Sequence, residues 1–165
     1  MAIEIERKFL VADVSATAPW RAAPGVAFRQ GYLNRDKTRT VRVRIAGDAA
    51  FLTIKGVSEG ASRAEFEYAI PLDDARALLA LCDGPLVEKT RHVLVHQCTT
   101  WEVDDFAGDN AGLVVAEVEL TSEAQAFAKP DWLGEEVTQD ARYFNSNLAS
   151  QPFKTWGGLP RQATP

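Results

Sequence analysis

A chain of 165 residues fits one domain, or a domain with a short tail, and is long enough to bury a real core. Its 46% hydrophobic and 25% charged residues describe an ordinary globular protein, and a net charge of -5 argues against a general nucleic-acid binder. Cys82 and Cys98 lack metal-type spacing and make no disulfide framework, the start Met1-Ala2-Ile3-Glu4 has no leader character, and no run approaches membrane-spanning length. A cytoplasmic protein that meets neither membrane nor nucleic acid is expected.

The first predicted strand covers about residues 2–11. Side chains at i, i+2 and i+4 of a strand share a face, so Glu4, Glu6 and Lys8 point one way. Strands follow at about 26–34, 39–46, 49–56 and 63–71, with Gly47-Asp48 and Ser58-Glu59-Gly60 as turns. Their stripes are Gln30 with Tyr32, then Arg42 with Arg44, then Lys55, then Glu65 with Glu67. Asp73 or Asp74 is placed to cap a helix over 75–81, which Gly84-Pro85 stops.

The strand expected at about 86–98 carries Lys89 and Arg91, but its stripe turns apolar at Val93 and Val95, which fits a bulge, a twist or a mouth where the charged interior ends. His92 and His96 share a face there, without a third nitrogen or sulfur ligand nearby, and are assigned no chemistry. Strands at about 99–106 and 112–121, separated by Gly108-Asp109-Asn110, carry Glu102 with Asp104 and Glu117 with Glu119. A short helical turn is expected over Ser122 to Ala128, a helix capped by Asp140 over 141–149, and a tail over 151–165 with three Pro and two Gly.

An antiparallel sheet with one wet face also alternates polar and apolar residues. Here the polar positions are nearly all ionisable and sorted by sign from strand to strand, although like charges on neighbouring positions repel. A functional charged surface is the better reading. Eight twisted antiparallel strands can close into a barrel with no unpaired edge, which would place the charges in the lumen. Six bases against eight acids leave that lumen two charges negative, and two divalent cations would reverse the sign. Burying such charges costs several kcal/mol per ion unless they are paired or metal-bound. Paired carboxylates suit Mg²⁺ or Mn²⁺, while guanidinium and ammonium groups suit phosphate oxygens. Both sets occur together where polyphosphate is hydrolysed.

Glu4-Ile5-Glu6-Arg7-Lys8 resembles the Glu-x-Glu-x-Lys signature of the CYTH proteins, the triphosphate tunnel metalloenzymes. Gln30-Gly31-Tyr32-Leu33, Val87-Glu88-Lys89-Thr90-Arg91, Val118-Glu119-Leu120 and Gly134-Glu135-Glu136-Val137-Thr138, then Asp140 and Arg142-Tyr143, are similar to further family blocks in the expected order. The resemblance implies an α+β, mainly β, fold: a closed eight-stranded antiparallel barrel with a few peripheral helices over residues 1–150, followed by the tail.

It further implies metal ligands at Glu4, Glu6, Glu117 and Glu119, and a phosphate-binding set of Lys8, Arg42, Arg44, Lys55, Lys89 and Arg91. Lys8, Lys89 and Glu117 are expected to carry the catalysis, with Glu65, Glu67, Glu102 and Asp104 as supporting or second-metal residues. The implied activity is hydrolysis of inorganic tripolyphosphate with Mg²⁺ or Mn²⁺, two ions being expected. Alternatives are a class IV adenylyl cyclase, another nucleoside or thiamine triphosphate enzyme, or a non-catalytic polyphosphate-binding module. The expected partner is a small triphosphate, and a homodimer is left open. Tyr32 reaches toward the tunnel by parity but is given no catalytic role.

Overall fold

The computed structural model describes residues 1–157, so the last part of the expected tail, 158–165, lies outside the described residues. The expected strands form β1 (Ala2–Val11), β2 (Gly25–Asn34), β3 (Arg39–Ala46), β4 (Ala49–Gly56), β5 (Ser62–Ala69), β6 (Val87–His96), β7 (Thr99–Phe106) and β8 (Val114–Glu119). All pair antiparallel in the order β5-β4-β3-β2-β6-β7-β8-β1, and β1 pairs back onto β5 to close the barrel. Closure joins the two ends of the sheet and leaves the C-terminal half of β1 without a barrel neighbour on that flank. A ninth strand, β9 (Leu133–Glu136), was not foreseen. It lies along β1 beyond the point where β5 leaves, since β5 pairs residues 2–5 of β1 and β9 meets Phe9 and Val11. Only four residues long, β9 is too short for alternation to declare it. Gly134 permits the close approach, because a Cβ there would lie 3.1 Å from the Leu10 carbonyl oxygen.

The expected strand 86–98 ends at His96. Gln97 and Cys98 instead take φ of 45° and 66° and make a two-residue turn between β6 and β7. Neither residue is a usual left-handed turn former, so nothing local announced the turn. The pairing of β6 with β7 is regular from Lys89 to His96, so the change in the stripe is no bulge. Val93 and Val95 are exposed, which fits a strand running out past the tunnel mouth.

Two helices cover the barrel. The crossover from β5 to β6 contains α1 (Leu72–Ala80), whose Ala75 and Leu79 pack on Val43 and Ala50 of the outer sheet face. Asp73 and Asp74 do not cap it: Pro71 is the cap residue, and both carboxylates stand in the first turn, where the helix dipole favours them. The expected helix 141–149 is split into a 3-10 turn, Ala141–Tyr143, and α2 (Asn145–Ser150), by Phe144 in extended conformation. Asp140 does cap the 3-10 turn, accepting from the Arg142 backbone N–H. The Tyr143 carbonyl, which a continuous helix would use, accepts from Lys8 Nζ instead. Residues 122–128 make only a turn, where the Gln125 side chain accepts from both the Thr121 N–H and its hydroxyl.

Outward-facing residues form two cores. Phe9, Trp101, Val103 and Val118 pack under Trp20 and Trp132 on one side, and α1 covers the other. A third cluster lies on the inward parity: Leu10, Tyr32, Val87, Phe106 and Val115 meet Tyr143, Leu148 and Ala149. The C-terminal ends of β1, β2 and β7 and the N-terminal ends of β6 and β8 are therefore closed by an apolar plug. Phe153 and Trp156 continue this packing: Phe153 N–H donates to Asn110 Oδ1 at 2.8 Å and Trp156 stacks edge-on to Tyr143.

Candidate active site

Above the plug the same strand faces turn charged and enclose a cavity of about 240 Å³. Every site residue expected from the sequence lines it except Lys89 and Asp104, which are buried just behind the wall. The register sets one side: Glu6 stands opposite Glu119 and Lys8 opposite Glu117 on the β1–β8 pair, with Glu102 opposite Glu117 on β7. Across the lumen, β3, β4 and β5 place Arg42 beside Thr53, Thr53 beside Glu67, and Lys55 beside Glu65.

Most bases hold acids. Lys8 Nζ lies 3.3 Å from Glu117 and Lys55 Nζ lies 2.7 Å from Glu4 and 3.4 Å from Glu65. Arg91 forks onto Asp104 at 2.7 and 2.8 Å and also meets Glu102, while Lys89 reaches the same Asp104 at 2.6 Å. Two cations are less satisfied. Arg42 Nε is buried with no hydrogen-bond partner among the described residues, and its terminal nitrogen is 3.8 Å from Glu67. Arg44 has no ion-pair partner among the described residues and donates from Nε to the Gln30 amide oxygen at 2.8 Å.

The acids divide by environment. Burial pushes the Glu6 carboxyl up to about 8, with Glu117 and Glu4 adding like charge. Burial opposes ionisation of Glu117 too, but Lys8, then Arg91, hold it well below the usual carboxylate range. Asp104 is kept near 2 because Arg91 and Lys89 outweigh its burial. Burial, with Arg42 and Arg91 nearby, brings the Arg44 guanidinium down to about 9. The site holds a cation-hungry carboxylate and an anion-hungry arginine in one cavity.

Glu4, Glu6, Glu117 and Glu119 offer the all-oxygen donor set that suits a hard divalent ion, and the raised Glu6 is the group such an ion would relieve. No three acids among the described residues converge into a preassembled cage. Glu4 and Glu117 would have to exchange ammonium partners for the ion.

Sequence reasoning missed several lining groups. Arg63 shares the inward parity of Glu65 and Glu67 and its Nε donates to Glu4 at 3.2 Å, so alternation alone could have found it. Thr53 likewise shares parity with Lys55, donating to Glu67 and accepting from Arg42. Thr138, which the sequence marks only as the end of a family block, and Phe144, Asn145 and Ser146, which no local pattern marks, come from the C-terminal segment.

A closed antiparallel barrel with facing carboxylates and phosphate-type bases in its lumen defines a class that handles a small polyanion with a cation. The CYTH domain family model matches residues 2–151, and the chain belongs to that family. It is 50% identical over 157 residues to an inorganic triphosphatase of Acetivibrio thermocellus, covering 94% of this chain and 99% of that one. It is 43% identical over 150 residues to an inorganic triphosphatase of Nitrosomonas europaea, covering 88% and 96% respectively. The crystal structure of the inorganic triphosphatase NE1496 superposes with a TM-score of 0.63 at 40% identity, over 88% of this chain and 97% of that one.

Proposed function

We propose that this protein is a divalent-metal-dependent hydrolase that cleaves the terminal phosphate of inorganic tripolyphosphate, giving diphosphate and phosphate. The observation that carries this reading is the meeting, in one cavity, of the unpartnered Arg42 Nε and of Arg44, which rests on a neutral amide, with the carboxylate wall around Glu6. Phosphate oxygens supply the missing acceptors. The near full-length likeness to two triphosphatases supports the same substrate class.

Glu4, Glu6, Glu117 and Glu119 would hold Mg²⁺ or Mn²⁺, with Glu65, Glu67 and Glu102 lining the same cavity for a second ion, whereas Asp104 stands behind the wall with both oxygens taken by Lys89 and Arg91. Such an ion, when bound, supplies charge neutralisation and lowers the pKa of a water. Lys8, Arg42, Arg44, Lys55 and Arg91 bind the oxygens and stabilise charge on the departing diphosphate. Lys89 acts from behind the wall, holding Asp104 and through it Arg91. Glu117, kept ionised between Lys8 and Arg91, offers a lone pair to orient the attacking water. A cytoplasmic setting goes with this, supported by unpaired thiols at Cys82 and Cys98.

The cavity, at about 240 Å³, is smaller than the sites that enclose drug-sized ligands, so the nucleoside of ATP would remain outside. We expect kcat/KM for tripolyphosphate to exceed that for ATP about tenfold or more. The test is phosphate release from tripolyphosphate, diphosphate, ATP and thiamine triphosphate with Mg²⁺ or Mn²⁺, and again in chelator. Comparable turnover of ATP, cyclic AMP with diphosphate as products, or tight binding without release would each overturn the assignment, and undiminished turnover in excess chelator would remove the metal.

A further inference from the structure

The bases of the cavity are not all restrained in the same way. Lys8, Lys55 and Arg91 each rest on a carboxylate, which fixes the group but cancels much of its charge. Arg44 rests on a neutral amide. Its Nε donates to Gln30 Oε1 at 2.8 Å, and its guanidinium lies 4.8 Å from the centre of the Phe28 ring. Gln30 is fully buried. Its Nε2 donates to Asn145 Oδ1 at 3.4 Å, and that same oxygen accepts from Lys89 Nζ at 3.1 Å. Two uncharged amides, one on β2 and one on α2, thus tie together two cations from β3 and β6.

A glutamate would fit the Gln30 volume and would pair with Arg44, at the loss of the Gln30 hydrogen bond to Asn145, because the carboxylate oxygen there cannot donate. Leaving a buried cation without a counter-charge, beside Arg42 and Arg91, costs stability. A neutral acceptor has one advantage: it aims the guanidinium without neutralising it. An arriving phosphate then meets its full charge.

We propose that Gln30 and Asn145 are positioning residues that orient Arg44 and Lys89 while keeping Arg44 uncancelled for the phosphates of the substrate. The proposal rests on the triphosphatase reading for its substrate class. Its test is affinity rather than turnover. Tripolyphosphate is titrated calorimetrically with Ca²⁺, whose looser geometry slows hydrolysis, against wild type, Gln30→Glu and Asn145→Asp. Thermal melts without tripolyphosphate accompany each titration, and KM and kcat are measured separately with Mg²⁺.

Gln30→Glu is expected to melt at or above the wild-type temperature, because it gives Arg44 a counter-charge, yet to bind tripolyphosphate about tenfold or more weaker, with KM raised more than kcat is lowered. Asn145→Asp is expected to follow the same pattern more weakly, about threefold. A purely structural role moves stability and leaves affinity. Unchanged affinity in a folded Gln30→Glu overturns the proposal; if that variant does not fold, unchanged affinity in Asn145→Asp does so. Wild type that binds tripolyphosphate but releases no phosphate would sink the triphosphatase reading and leave this comparison of affinities intact.

Discussion

Glu6 sits where two other carboxylates already stand, and its pKa pushed up to about 8 makes it a source of pH dependence. Its folded value lies above the ordinary 4.5, so the folded state binds more protons than the unfolded state between those limits. Stability falls as pH rises through that window. In chelator, the melting temperature should therefore drop between pH 5 and pH 8, and Glu6→Gln should flatten the drop and melt higher than wild type at pH 8. A Glu6→Gln protein that melts lower at pH 8 would contradict the electrostatic picture. The same substitution should cost orders of magnitude in turnover, through the loss of a carboxylate from the wall rather than through unfolding.

At the scale of elements, alternation decides which substitution does what. Val43 is fully buried under α1, while its neighbours Arg42 and Arg44 face the cavity. Val43→Ala should lower stability by about 1–3 kcal/mol in urea unfolding with turnover nearly kept, whereas Arg44→Ala should fold and lose most of its turnover. The opposite pattern would mean that the register is one residue off. Gly134→Val should detach β9, because its side chain would meet the Leu10 carbonyl. Lys8 should loosen with it, since the backbone of Lys8 is held by Val137 N–H at 2.8 Å and by the Thr138 hydroxyl. Loss of both stability and tripolyphosphate turnover is the expected result.

The eight barrel strands and their inward stripes were legible because ionisable residues at every second position leave a periodicity that survives any tertiary context. The turn at Gln97-Cys98, the strand β9 and the break at Phe144 were not legible. The turn uses two residues that seldom take left-handed backbone, and the other two depend on a partner distant in sequence: β9 exists because β1 offers an edge, and the helix breaks where Lys8 takes the Tyr143 carbonyl. The site divides in the same way. Stripe residues were readable, whereas Asn145 enters the network only through a fold that brings the C-terminal segment beneath β2 and β6.

For the whole molecule, the lumen is also the core. Many globular domains gather apolar side chains at the centre, and here the apolar layers lie outside the barrel and in one plug. The centre is stabilised by ion pairs whose burial is costly, so a ligand that satisfies the remaining charges should raise global stability. Tripolyphosphate with Ca²⁺ at about 100 times its dissociation constant should add roughly 2.7 kcal/mol, visible as a shift in the unfolding midpoint. Salt should weaken this stabilisation only modestly, because the pairs are shielded from solvent ions. No shift on addition of both would mean that the folded protein does not bind them and would overturn the expectation.

The shared flank of β1 has a consequence for how the protein is born. Every partner of β1 follows it in the chain: it pairs with residues 62–65, then with 115–119, then with Glu136 and Leu133. Its neighbours are thus synthesised at widely spaced moments, the last of them after all the other barrel strands. Until then Glu4, Glu6 and Lys8 stay bathed in water and need no counterparts. Such delayed closure predicts slow refolding, dominated by pairing between remote segments, and it makes the first of the barrel strands the last to find its place.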